Sequence, residues 1–185
     1  MPQNTLFFFD TETGGLEPAR HAIVQIAWII EVNGIVQNEM AFDICPEHDQ
    51  DLNFSALAVN NFTFDRLKAG RNLSYVLCSL KQNLLAARQG SSLTLPVGHN
   101  VRFDIDFLIH AAKRCNENLF NDLNFSRALD TCAMLRLLCY QGKLDLSSCK
   151  LTTACEHFKI PIQAHDALGD VRATRQLFHV LEGML

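Results

Sequence analysis

The sequence predicts an α/β domain, a mixed β-sheet flanked by helices. Three observations carry that prediction. Residues 6–44 read as three strands in a meander, with the two-residue turn signal Asn33-Gly34 between the second and third. The remainder carries apolar residues at helical spacing, interrupted by one further strand-like run at 93–99, an order expected of a mixed sheet with helices packed on it. The composition, 48% apolar and 19% charged over 185 residues, is that of one globular domain with a substantial core, which excludes a disordered chain.

The first strand is the run Leu6-Phe7-Phe8-Phe9, which passes directly into Asp10-Thr11-Glu12-Thr13 and ends at Gly14-Gly15. Side chains two apart share a strand face, so Asp10 and Glu12 point one way and Thr11 the other. Two like charges at the end of a buried strand repel and are poorly solvated, and a hard, oxygen-seeking divalent cation compensates them best. An isolated Asp-x-Glu pair more often marks a solvated strand end or a helix cap, so the reading depends on further ligands elsewhere.

Residues 23–32, rich in β-branched and aromatic side chains, read as the second strand, and 35–44 return antiparallel to it. Residues 54–59 and 64–69 suggest two short helices. A longer one is expected over 75–89, capped by Ser74, with Val76, Leu77, Leu80, Leu84 and Leu85 on one side and Gly90-Ser91-Ser92 ending it. Pro96 predicts a ladder gap in the fourth strand. Further helices are expected at 101–116 with Asn100 as N-cap, at 131–140, at 151–159 and at 167–182, the last capped by Asp166 and closed by Gly183.

Two of these helices add inward acids. Asp104 shares a helical face with Phe107, Leu108 and Ala111, whereas Asp106 falls on the solvated side. The helix dipole alone also favours a first-turn acid such as Asp104. Asp170 shares the core face with Ala167, Ala173, Thr174 and Leu177, and His165 lies just ahead of that helix. Four carboxylates with one His and no Cys suit Mg²⁺ or Mn²⁺ rather than zinc. Cys149, Cys155 and His157 match no zinc spacing.

The seven cysteines include no Cys-x-x-Cys pair, and most sit among apolar residues, as expected of free thiols in a reduced, cytoplasmic compartment. No signal-peptide pattern opens the chain and no apolar run is long enough to span a membrane. The net charge of −4 argues against broad electrostatic binding of nucleic acid, although cations held by the acidic set would reverse its sign locally.

The acids fall within three ordered motifs that resemble the DEDDh family of 3′–5′ exonucleases, to which the proofreading epsilon subunit of bacterial DNA polymerase III and the ribonuclease T group belong. The pattern Asp-x-Glu-Thr-x-Gly is met by Asp10, Glu12, Thr13 and Gly15. His-Asn-x-x-Phe-Asp is met by His99, Asn100, Phe103 and Asp104. His-x-Ala-x-x-Asp is met by His165, Ala167 and Asp170. The resemblance extends over residues 6–178.

The resemblance implies a ribonuclease-H-like fold with a mixed five-stranded sheet, one exonuclease domain over 1–185, and an active site at a sheet edge. It implies hydrolytic release of 5′-mononucleotides from a 3′ end. It gives Asp10, Glu12, Asp104 and Asp170 to two divalent cations, Mg²⁺ or Mn²⁺, and His165 to proton transfer. It gives Thr13, Gly15, Leu16, His99, Asn100 and Phe103 to the substrate, with Leu16 as a wedge between the last bases. DNA is the favoured substrate, in proofreading or repair. The alternatives are an RNA-trimming enzyme and a catalytically silent nucleic-acid-binding module. The implied partners are a nucleic-acid 3′ end, single-stranded or frayed, and a polymerase in the proofreading case. The sequence ends at Leu185, short of the tail by which the epsilon subunit reaches its polymerase.

Overall fold

The structure, a computed structural model, describes residues 3–88, 91–117, 123–162 and 166–185. One five-stranded sheet runs through it in the order β3-β2-β1-β4-β5. Its strands are β1 (Gln3–Thr13), β2 (Ile23–Val32), β3 (Ile35–Asp43), β4 (Ser91–Gly98) and the two-residue β5 (Leu129–Asp130). The first three form the expected antiparallel meander, and Asn33 and Gly34 both take positive φ, 51° and 81°, at the turn between β2 and β3. β4 joins β1 in parallel and β5 joins β4 in parallel, which makes the sheet mixed.

Seven α-helices are described: α1 (Phe54–Val59), α2 (Phe64–Ala69), α3 (Leu73–Ala87), α4 (Arg102–Arg114), α5 (Thr131–Tyr140), α6 (Leu151–Phe158) and α7 (Ala167–Glu182). They cover both sheet faces, which is why β1 opens as an unbroken apolar run rather than an alternating one. Phe7 and Phe9 enter the core formed with α3 and α4, among Val76, Leu80, Ile105 and Leu108. Phe8 points the other way, toward Ala167, Val171 and Phe178 of α7. No described helix is long and apolar enough to cross a membrane.

Helix α7 carries one of the predicted acids, and β2 fixes it at both ends. At its start, Ala167 N–H donates to Oε1 of Gln25 at 2.8 Å, and Asp166 caps the first turn by accepting from Gly169 N–H at 3.0 Å. Toward its end, Arg175 and His179 reach the buried carboxylate of Glu31 at 2.5 and 3.0 Å. Gln25 and Glu31 lie on the same face of β2 as Ala27 and Ile29, the face that packs on α7.

Several boundaries differ from expectation. Helix α3 begins at Leu73 because Asn72, not Ser74, caps it, accepting from the N–H groups of Ser74 and Tyr75. Its buried stripe is Leu73, Val76, Leu77, Leu80 and Leu84; Leu85 lies past the stripe's border and is 48% exposed. Gly90 lies outside the described residues, and Ser91 and Ser92 open β4 instead of trailing the helix. Helix α4 starts at Arg102, with Val101 as an N-cap that offers no side-chain hydrogen bond. Asn100 sits just before it at φ 56°, a left-handed backbone that Asn tolerates, and donates its N–H to Asp130 at 2.9 Å. Helix α6 stops at Phe158, where Lys159 turns left-handed. Pro96 is tolerated inside β4 because β5 starts only opposite Val97, so among the described residues no strand pairs with Pro96 on that side.

Candidate active site

The pairing of β4 with β1 ends at Phe8 opposite Val97, so the last residues of β1 run on past β4. Into that gap α4 sends the carboxylate of Asp104. Its Oδ1 accepts from the backbone N–H of Thr11 at 2.9 Å and from the Thr11 hydroxyl at 2.7 Å. Asp104 thus replaces the strand partner that Thr11 lacks on that edge. It approaches from the α4 face, the one Thr11 points to.

Asp10 and Glu12 continue the alternation of Phe8 and point to the α7 face, where the first turn of α7 brings in Asp170. One carboxylate oxygen from each of Asp10, Glu12 and Asp170 lies within 4.8 Å of the others. The four acids therefore straddle the end of β1, three on one face and Asp104 on the other.

The charges strain one another. Burial pushes the Asp10 carboxyl well above the ordinary carboxylate range, and the charges of Asp104, Asp170, Glu12 and Asp166 push it further. Glu12 is pushed up to about 7, first by burial and then by Asp170 and Asp104, with Arg66 offsetting a part. Asp104, 4% exposed, is also raised to about 7 by burial, against the opposing pull of its two hydrogen bonds from Thr11. Arg66 relieves little, because its guanidinium forks onto Asp43 at 2.6 and 2.8 Å. A cluster of oxygen donors that raise one another's pKa fits a hard divalent cation.

Beside the cluster opens a cleft of about 420 Å³, with Thr11, Glu12, Thr13, Gly15, Leu16 and Phe103 among the residues that line it. Leu16 stands at its lip, 80% exposed. The Thr13 hydroxyl is turned to the carbonyl of Gly15 at 2.7 Å. Gly15 packs so tightly that a Cβ there would come within 2.2 Å of the His21 ring. The remaining residues expected to meet substrate, His99 and Asn100, line a different cavity, of about 510 Å³. Both ring nitrogens of His99 are engaged, Nδ1 with the Thr131 hydroxyl and Nε2 with the Cys149 carbonyl, each at 2.9 Å. Burial lowers its pKa. His165 lies outside the described residues.

Three residues that shape the site were not expected from the sequence. Thr11 orients Asp104, Asp166 adds its charge to the cluster, and Gln25 holds the helix that bears Asp170. Gln25 lies directly opposite Glu12 in the β1–β2 register. One signal was available for it: an amide set among apolar residues in a buried strand must find a buried partner.

A mixed sheet whose central strand ends in paired acids, completed by acids from two helices beside an open cleft, defines a nuclease-type site. The exonuclease family profile matches residues 7–178, and the chain belongs to that family. It is 30% identical to the DNA polymerase III subunit epsilon of Rickettsia felis over 179 residues, 94% of this chain and 72% of that one. It is 28% identical to ribonuclease T of Wigglesworthia glossinidia brevipalpis over 180 residues, 91% of this chain and 80% of that one. In fold it resembles E. coli exonuclease I in complex with a dT13 oligonucleotide, with a TM-score of 0.82 at 21% identity over 97% of this chain. The chain spans 41% of that exonuclease I chain. By class it is a 3′–5′ exonuclease, as its three motifs imply.

Proposed function

We propose that the chain removes 5′-mononucleotides from the 3′ end of a single strand, with DNA favoured, in a reaction that requires divalent cations. The observation that carries this reading is the convergence of Asp10, Glu12 and Asp170 within 4.8 Å, beside a cleft open to an exposed Leu16. Asp10, Glu12, Asp104 and Asp170 would hold two cations, Mg²⁺ or Mn²⁺, with Asp10 shared. When bound, such ions polarise the phosphoryl oxygens, ready a water and stabilise the leaving 3′ oxygen.

The chain's own contribution is orientation and shape. Thr11 fixes Asp104 through two donors, so that this carboxylate presents one geometry. Leu16 stands where it can separate the terminal base from its neighbour, and Phe103 supplies an aromatic wall. His165 is assigned the proton of the attacking water on its motif spacing, an imidazole of ordinary pKa about 6.5 being suited to that transfer. His165→Ala should lower kcat and leave KM near wild type. DNA rests on the relation to the epsilon subunit, and the ribonuclease T relative carries the RNA alternative. A polymerase partner and a cytoplasmic location belong to the same reading, the latter in keeping with cysteines that are all free.

The test uses matched DNA and RNA oligonucleotides, labelled at the 3′ or the 5′ end, with Mg²⁺, Mn²⁺ or chelator. Immediate release of the 3′ label as mononucleotide, a descending ladder from the 5′ label and abolition by chelator are expected. Binding without degradation under every condition would sink the enzyme reading in favour of a silent binding module.

A further inference from the structure

The cluster of acids must receive a polyanion, and several arginines of the chain are already committed elsewhere. Arg66 is forked onto Asp43, Arg102 is paired with Asp106 at 2.8 Å, and Arg20 is paired with Asp51 at 2.8 Å. The cavity of about 510 Å³ is different. It opens at the carboxyl ends of β4 and β5, one strand over from the acidic end of β1, and Arg136 of α5 and Lys150 at the start of α6 line it with His99 and Asn100. Both cations are exposed, and neither forms an ion pair with a carboxylate among the described residues. Lys150 is also the N-cap of α6 and makes no side-chain cap hydrogen bond.

The two cavities flank the first turn of α4. Asn100 lines one and Phe103 lines the other. Asp130 stands between the sites, and its carboxylate is turned onto backbone, accepting from the N–H groups of Asn100 and Cys132 at 2.9 Å each. The charge of Asp130 is felt both by Asp104 in the catalytic cleft and by His99 in this cavity, which places the two within electrostatic reach. Arg136 acts on His99, Cys132 and Cys149 in the opposite sense, which places its charge beside all three.

We infer that Arg136 and Lys150 form a backbone-binding subsite that takes a phosphodiester of the substrate strand upstream of the 3′-terminal nucleotide held in the cleft. This rests on the exonuclease reading of the acidic cluster. It explains how a chain of net charge −4 guides a strand to a cluster of carboxylates: the cations sit beside the reaction centre, not in it. Contact with phosphate rather than base makes the subsite indifferent to sequence.

The experiment compares wild type with Arg136→Ala, Lys150→Ala, the double variant and Arg136→Lys. Two substrates are used: an oligonucleotide of about 12 nucleotides, within the range of single-strand site sizes, and the p-nitrophenyl ester of thymidine 5′-monophosphate, which has no upstream phosphate. On the oligonucleotide, each Ala variant should raise KM about three- to tenfold with kcat unchanged, and lower the slope of log KM against log salt by about 0.7. Arg136→Lys should restore most of the affinity, and the small ester should be hydrolysed equally by all forms. An unchanged KM and salt slope on the oligonucleotide would overturn the subsite. So would an equal loss on the small ester, which would place the effect at the scissile group. Oligonucleotide binding in Ca²⁺, followed by anisotropy, gives a readout independent of turnover. If wild type degrades nothing yet binds, and the double variant loses that binding and its salt slope, the subsite stands while the exonuclease reading falls.

Discussion

Both ends of the seam between β2 and α7 hold buried acids, and the fold treats them in opposite ways. Glu31, 1% exposed, meets Arg175 and His179. At the other end, Glu12, 8% exposed, meets Asp10 and Asp170, with Asp166 and Asp104 close enough to add to the repulsion. The first arrangement is what a structural carboxylate requires: a buried charge with opposite charges within hydrogen-bond reach. The second is costly in the apo protein, because each carboxylate raises the pKa of the next. The same helix that supplies Arg175 for one acid supplies a further acid for the other. The chain meets Glu31 with its own cations, whereas Asp10, Glu12 and Asp170 turn their oxygens toward one another as a cation would require, and this separates a site from a scaffold.

The largest test of that contrast is Asp10→Asn. Turnover should fall by well over a hundredfold, more than the loss usual for a residue that merely supports a metal ligand. The melting temperature in chelator should instead rise by several °C, because a repulsive charge is gone. Kinetics and thermal denaturation of one preparation check both. A melting temperature that falls with the activity would make Asp10 structural. Glu31→Gln should do the reverse. It should cost about 2 kcal/mol, less than the 3–5 typical of breaking a buried pair, because Arg175 and His179 still reach solvent. At about 2–4 °C per kcal/mol for a domain of this size, the melting temperature should drop by about 4–8 °C, with kcat per folded molecule near wild type.

The same contrast shows what a sequence reader can and cannot see. The α7 boundaries were legible because their signals are local: Asp166 as cap, Gly183 at the end. The pairing of Asp10 with Glu12 followed from strand alternation. The inward direction of Asp104 followed from its apolar helical neighbours. That Asp104 comes to β1 from the opposite face to Asp170 was not legible, because it depends on where β4 stops pairing with β1. Asn72 and Ser74 are both good caps, and in the fold Asn72 caps a helix whose first residue, Leu73, is buried. The apolar residues of β2 mark it as a strand, but nothing local in the sequence tells what its two polar residues on the α7 face, Gln25 and Glu31, will meet. Those two hold the two ends of α7 through contacts more than a hundred residues apart in the chain. Polar residues inside an apolar strand announce partners without naming them.

A milder way to sharpen the comparison is to titrate it. Glu12 has an ordinary value of 4.5 and a folded value of about 7, and Asp104 goes from 3.8 to about 7. Between those values the native state binds more protons than the unfolded one, so stability falls as pH rises. The advantage is complete below the ordinary values and lost as pH passes about 7. Thermal denaturation in chelator should therefore give a melting temperature several °C higher near pH 5 than near pH 8, beyond the trend shown by Asp10→Asn. With Mn²⁺ present the slope across that window should flatten or reverse, since the deprotonated carboxylates are the ones that hold a cation. The same decline with and without cation would mean that these acids do not form the site.

The smallest expected effect concerns how Asp104 is held. Thr11→Val keeps the shape of the side chain and removes the hydroxyl that donates to Asp104, while the Thr11 backbone N–H still donates at 2.9 Å. A hydrogen bond to a charged group is worth about 1.5–3 kcal/mol when whole, and part of it is recovered as Asp104 takes up a proton instead. The rising limb of the pH–rate profile should then move to higher pH, and the Mg²⁺ or Mn²⁺ concentration for half-maximal rate should increase about three- to tenfold, with kcat at saturating metal and optimal pH largely retained. Thr11→Ser, which keeps the donor, should stay near wild type in both. Because Thr11 lies on the face away from Asp10, Glu12 and Asp170, a shift in metal requirement there would show that Asp104 belongs to the same electrostatic unit despite reaching it around the edge of the strand. No shift, with the Val variant fully folded, would confine the cation-holding role to the three acids on the α7 face.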